Sequence, residues 1–206
     1  MRHLISIFIV VALAGCATLG LSNYPAGGPT PRWLLSGPIP DNFTAYDEAR
    51  RQLSRGSKMF MAGAMVKATL DTVPGADLQT IKEARRVKDS EEAIRQRLAS
   101  KPRTADAAEK ICFIATLEHS TIDLAKASQW TFKVSLDGGE FSRLESVGND
   151  DTPDYSVIGG ATTWYSVGVF CAKQPNWQKA KSIRLNVFPP VFVNPGEAML
   201  TWDIEG

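Results

Sequence analysis

At Trp130 the hydrophobic pattern of the chain changes its period, and this change restricts the fold more than any other feature. Before it, apolar residues recur at helical spacing. After it, Trp130, Phe132, Val134 and Leu136 alternate with Thr131, Lys133 and Ser135, the period-two pattern of a strand with one buried face. Asp137-Gly138-Gly139 follows as a hairpin turn. Further strands are predicted at Phe141 to Val147, Tyr155 to Ile158, Ala161 to Ala172, Ser182 to Phe188 and Met199 to Ile204. Helices first and strands second, without βαβ alternation, predict an α+β fold. A helical segment over 43–127 would pack on an antiparallel sheet or small β-sandwich over 128–206, the whole of 43–206 forming one domain.

The first part reads as three helices. Thr44, with Asp47 three residues on, resembles a capping box. The helix it opens should run through Met59, Phe60, Met61, Met65 and Val66 to about Leu70. Its second half is apolar nearly all round, which predicts burial on more than one side. Val73-Pro74-Gly75 breaks it, and Asp77 starts a second helix with Leu78, Ile81, Ala84, Val87, Ile94 and Leu98 as its apolar stripe. Lys82 to Arg97 is dense in mixed charge, either a solvated face laced with i,i+4 pairs or a docking surface. Pro102 and Thr104 reset the chain into a third helix carrying Ile111, Ile114, Ala115, Ile122 and Ala125.

Residues 1–15 precede Cys16 with a basic start (Arg2, His3) and an apolar stretch from Leu4 that ends in Leu13-Ala14-Gly15-Cys16. This resembles the lipobox of bacterial lipoproteins. The resemblance implies that a type II signal peptidase cuts before Cys16 once its thiol carries a diacylglycerol. Residues 1–15 would then be a signal peptide and 16–42 a lipid-anchored linker rich in Pro and Gly. The apolar stretch is about half the length of a spanning helix, so it reads as a signal and not as a permanent anchor. Ordinary cleavage after Ala12-Leu13-Ala14 is the competing reading. Two or three acyl chains, such as palmitate, hold a protein on a membrane almost permanently. In the lipoprotein family Asp after the cysteine tends to retain the protein at the inner membrane. Here Ala17 and Thr18 follow, so the resemblance implies the outer membrane, facing the periplasm, in a host with two membranes.

Loss of Arg2 with the signal would even the balance of 23 Lys and Arg against 22 Asp and Glu, and no strong pull on nucleic acid follows. With Cys16 lipidated, Cys112 and Cys171 remain. In an oxidising compartment they read as a disulfide, the alternative being two small buried hydrophobes. Trp33-Leu34-Leu35 is too apolar for a spacer, so Trp33 docks on its own domain or on a partner.

The only histidine after residue 15 is His119, which removes most hydrolase and metal sites that need a histidine base or several imidazoles. Neither a Gly-x-Ser-x-Gly elbow nor a phosphate-cradling Gly loop occurs. Asn149, Asp151 and Asp154 could supply part of a calcium shell, but their spacing reads better as a solvated turn. No catalytic residue, metal or cofactor is implied. Trp177 stands in a polar loop, Lys173 to Lys179, as a lid over the core or as an exposed anchor for a partner.

Two readings of function remain. In the first, the chain is a non-catalytic envelope lipoprotein, held on the membrane by its N-terminal diacylglycerol, that binds an envelope protein as an assembly component. In the second, it is a periplasmic binding protein for an apolar small molecule or lipid, held in a pocket between helices and sheet. A contiguous exposed apolar patch would mark the first, and an enclosed cavity of several hundred cubic ångströms the second.

Overall fold

A computed structural model describes residues 28–40, 44–59, 63–100, 108–149, 152–158, 160–190 and 197–205. Cys16, Pro102, Thr104, Asp150 and Asp151 lie outside the described residues.

Two sheets face each other. The first orders β1 (Thr30–Pro31), β11 (Ala198–Glu205), β10 (Ser182–Phe188), β5 (Thr131–Leu136) and β6 (Ser142–Arg143). The second orders β2 (Ser54–Met59), β3 (Ala64–Asp71), β4 (Lys110–His119), β9 (Ala161–Lys173) and β7 (Glu145–Asn149), with β8 (Asp154–Ile158) also on β9. Every pairing is antiparallel except β1 on β11, which is parallel. The inner faces interlock through aromatic rings: Phe113 lies 5.4 Å from Trp202 between centroids, and Phe132 lies 4.0 Å from Phe170. Val66, Leu70, Ile111, Leu117, Ile183, Leu185 and Leu200 fill the remaining core, so the hydrophobic driving force is centred between the sheets.

The fold is therefore mostly β, and the expected α+β arrangement of a helical first half on a strand-rich second half is wrong. Among the described residues the α-helices are short: α1 (Trp33–Ser36), α2 (Tyr46–Leu53), α3 (Val73–Arg86) and α4 (Glu91–Ser100). The supposed long first helix ends at Leu53, and its apolar second half is the β2–β3 hairpin. Along β3, Ala64, Val66, Ala68 and Leu70 are buried, while Met65, Lys67, Thr69 and Asp71 face outward. The supposed third helix is β4. Its buried positions alternate from Ile111 to His119, but Cys112 and Ile114 on the other face are apolar too, and this hid the period of two. Val73-Pro74-Gly75, expected to break a helix, is instead the first turn of α3. Thr72 caps it by accepting from the Gly75 N–H at 3.0 Å, and Pro74 fits the first turn. The single helix expected from Asp77 to Leu98 is split, with Lys88 at φ +60° between α3 and α4.

Of the strands predicted after Trp130, those at Trp130 to Leu136, Tyr155 to Ile158, Ala161 to Ala172, Ser182 to Phe188 and Met199 to Ile204 are present, but the one expected from Phe141 to Val147 is two, β6 and β7, in different sheets. At the β5–β6 turn Asp137 and Gly138 both have positive φ, 51° and 74°, the backbone that Asp-Gly favours. The segment expected to be linker is partly body. Thr30 pairs with Ile204 in β1, and Leu34 and Leu35 are buried at 0 and 2% exposure. Trp33 packs half-buried against the same core.

Candidate functional site

Between the helices and the outer face of the second sheet lies a cleft of about 500 Å³. Its floor is β3 and β4, which present Lys67, Thr69, Ile114 and Thr116; α2 and the start of α3 form its walls. Alternation along β3 puts Lys67 outward on the same face as Thr69 and Asp71. Thr69 is anchored sideways by Ser54 across the hairpin, Oγ to Oγ1 at 2.8 Å. Gly75 permits the close approach of α3, because a Cβ there would fall 2.7 Å from Leu53 Cδ1.

The cleft carries charge. Asp47 on α2 accepts a hydrogen bond from the Lys82 ammonium on α3, and that bond, with the Lys82 charge and the more distant Arg51 and Arg50, holds its carboxyl below the usual range. Tyr46 lies beside them, its hydroxyl accepting from Arg85. Arg85 also stands over the Tyr46 ring, 5.7 Å from the centroid. Asp71 reaches the surface at the cleft mouth, but the protein around it still desolvates its carboxylate and raises its pKa. Neither the ammonium of the half-buried Lys67 residue nor the Arg50 guanidinium is engaged by a hydrogen bond or ion pair among the described residues. Sequence reasoning missed this group because Lys67 and Thr69 fell on a supposed helix; their alternation with Ala68 and Leu70 was the signal.

The second sheet shows another feature beyond the cleft. Across β4 and β9 its outer face exposes Ile114 (38%) and Val167 (40%), and Val147 (64%) is exposed at the bulge of β7. Ile114 pairs with Val169 and Thr116 with Val167, so Ile114, Val169 and Val167 are neighbours on one face, while Val147 stands at the β7 bulge without a register partner. Ile114 also lines the cleft, so the two surfaces are continuous.

The residues singled out from the sequence do not converge here. Cys112 and Cys171 form a disulfide across directly opposed positions of β4 and β9, with Cα atoms 4.2 Å apart, close to the spacing of a non-hydrogen-bonded antiparallel pair. Trp177 is 2% exposed and belongs to the core cluster, so it is a lid, and no exposed indole is there to act as an anchor. His119 is a buried strand residue and not a helical one; its Nδ1 accepts from the Thr121 N–H at 2.9 Å. Both Asp154 oxygens are engaged, accepting from the Tyr155 N–H at 2.8 Å and the Tyr165 hydroxyl at 2.9 Å. These two donors lower its pKa. Among the described residues no group of three His, Cys, Asp or Glu side chains could hold a metal ion. The mixed charge of α3, α4 and the turn between them forms i,i+3 pairs such as Arg86 with Glu83 at 2.8 Å, and a pair more distant in sequence, Arg97 with Asp89, also at 2.8 Å.

Compared with known proteins, the chain matches no family model, no curated protein and no solved structure.

Proposed function

We propose that the chain is a bacterial envelope lipoprotein, anchored through an acylated Cys16, whose β-sandwich serves as a non-catalytic binding module for an envelope protein. The observation that carries the binding role is the apolar stripe Ile114–Val169–Val167 on the outer face of the second sheet. Exposed apolar groups that are contiguous favour burial against a partner. The lipid anchor is supported by Leu13-Ala14-Gly15-Cys16, and the Cys112–Cys171 bridge fits an oxidising compartment. With Ala17 after the cysteine, the expected site is the periplasmic face of an outer membrane.

The anchor has a geometric consequence. Because Thr30 is already paired in the sandwich, only the stretch from Cys16 to Gly28 can separate lipid from body, and fully extended it reaches about 40 Å. A partner must then present its surface close to the membrane.

Photo-crosslinking in the envelope of producing cells tests the role. A crosslinker at Val167 should capture one discrete envelope protein, while one at Val87, 52% exposed beside α3, should not. Equal capture from both positions, or none from Val167 in membrane-retained protein, would remove the stripe from the account.

The alternative reading requires an enclosed apolar pocket. A cleft does lie between helices and sheet, but it is open and lined by Asp47, Arg50, Lys67, Asp71 and Lys82. A purely apolar ligand would desolvate these groups without replacing their water.

A further inference from the structure

Lys67 sits half-buried on the floor of the cleft, on a strand whose backbone is fixed by hydrogen bonding on both sides, to β2 and β4. Its ammonium has no hydrogen-bond or ion-pair partner among the described residues. Neither has the Arg50 guanidinium on the wall. The nearest carboxylates do not change this. Asp47 is occupied by Lys82. Glu118 stands on β4 opposite Met65, diagonal to Lys67, and forms no ion pair with it. Asp71 is four residues along the strand, on the same face but near its end, opposite Cys112. The lining therefore holds Arg50, Lys67 and Lys82 against Asp47 and Asp71, an excess of one positive charge.

Other groups reinforce the sign and set the shape. The 14-residue helix α3 begins at the cleft, where Thr72, Gly75 and Ala76 line the wall, and the positive end of its dipole adds to the field. Thr116 brings a hydroxyl to the floor beside Lys67, its register partner on β4. Ile114, two residues along from Thr116 and partly exposed, continues the floor as an apolar surface, with Leu53 and Leu78 beneath the walls. The cleft thus has a cationic end and an apolar end, and a volume of about 500 Å³ falls within the range of sites for small ligands.

We propose that this cleft binds a small amphipathic carboxylate, whose headgroup lies on Lys67 with Arg50 as a second cation and whose apolar body rests on Ile114. A single negative charge matches the charge excess, and an ammonium without a counter-charge in a cleft gains a charge-assisted hydrogen bond from a carboxylate. The neutral hydrocarbon expected of an apolar pocket would leave Lys67 desolvated and without a counter-charge. The proposal is independent of the lipid anchor and of the partner stripe.

Lysine footprinting by mass spectrometry on the full chain reads the site directly, since it reports Lys67 separately from every other lysine. Octanoate should slow acylation of Lys67 at least fivefold and leave Lys133 unchanged, while octanamide of the same chain length should protect neither. Lys67→Gln should weaken octanoate binding by about tenfold, and Lys67→Arg, which keeps the charge, should retain most of it. Three results would overturn the proposal: no protection of Lys67 by octanoate, equal protection by octanamide, or equal protection by inorganic phosphate. The second would mean that charge is not read, and the third that the apolar end is not used. Protection by a peptide with a free C-terminal carboxylate, but not by octanoate, would also reject it and assign the cleft to a protein segment.

Discussion

The Arg55 guanidinium donates from Nε to the Thr201 carbonyl at 2.7 Å, joining β2 of one sheet to β11 of the other. The remaining nitrogens reach the Gln52 and Ser54 carbonyls at 2.8 and 2.9 Å, and the Gly28 carbonyl at 3.0 Å. The group lies over the Trp202 ring, 5.5 Å from its centroid, and the Trp202 indole in turn donates to the Leu53 carbonyl at 2.9 Å. Burial disfavours the charged form and lowers its pKa, with Asp203 opposing that shift. One buried cation thus ties the end of α2, both sheets and the incoming N-terminal segment together. Arg55→Ala leaves several carbonyls without donors, and the expected loss is about 2–4 kcal/mol. Denaturant unfolding measures it, and hydrogen exchange should show Thr30 to Leu35 opening first. Arg55→Lys should recover less than half, because one ammonium cannot reach all of these acceptors.

The Cys112–Cys171 bridge closes a sequence separation of 59. On the chain-entropy account, reduction or a paired Cys→Ser change should cost about 4 kcal/mol. The strands it joins are paired along their whole shared length, so the sheet should persist, with a lower unfolding midpoint and an unchanged far-ultraviolet spectrum. Thiol blocking should find both cysteines unreactive before reduction; a reactive thiol in unfolded, unreduced protein would contradict the bridge.

Trp177 fills core volume at the start of a short turn between β9 and β10. Trp177→Ala should therefore destabilise by about 3–5 kcal/mol. Trp177→Phe should cost less and leave crosslinking from Val167 intact. Loss of crosslinking in a fully folded Trp177→Phe protein would instead place this side chain in the partner surface.

Asp71 gives a pH-dependent prediction with a definite sign. Its pKa is raised above the ordinary 3.8 by desolvation, so at neutral pH the folded state carries an ionised group that the unfolded chain solvates better. As pH falls through the raised value, the folded protein takes up the proton first and this penalty fades. Below 3.8 both states are protonated and it is gone. Asp71→Asn should be slightly more stable than the parent at pH 7, by less than about 1 kcal/mol given solvent screening at the cleft mouth. The difference should vanish in acid. A less stable Asn variant at pH 7 would show that the carboxylate has a favourable partner.

What could be read from the sequence follows from how each strand meets solvent. In β5 and β10 one face is apolar and the other largely polar, so alternation announces them. In β4 the outward face is apolar as well at Cys112 and Ile114, since the first forms the disulfide and the second borders the cleft; Ile111, Ile114 and Ala115 then mimic helical spacing. The β2–β3 hairpin was obscured by a methionine- and alanine-rich stretch, Met59 to Met65, whose residues favour helices locally while the pairing of β3 with β4 decides the outcome. Of the two fates open to Trp33-Leu34-Leu35, docking on its own domain is the one observed, with Leu34 and Leu35 in the core. The cleft could not be seen without the hairpin, because only a strand places Lys67 and Thr69 on one face.

The envelope role proposed for this binding module depends on lipid at Cys16 holding it at the membrane. Mass spectrometry of the N-terminal peptide from the membrane fraction tests it most directly. The expected result is a chain that begins at Cys16 with a diacylglycerol on sulfur, and a Cys16→Ser chain that is neither acylated nor cleaved before residue 16. A wild-type chain beginning at Gly15 with an unmodified Cys16 thiol would contradict it and favour ordinary signal cleavage after Ala14.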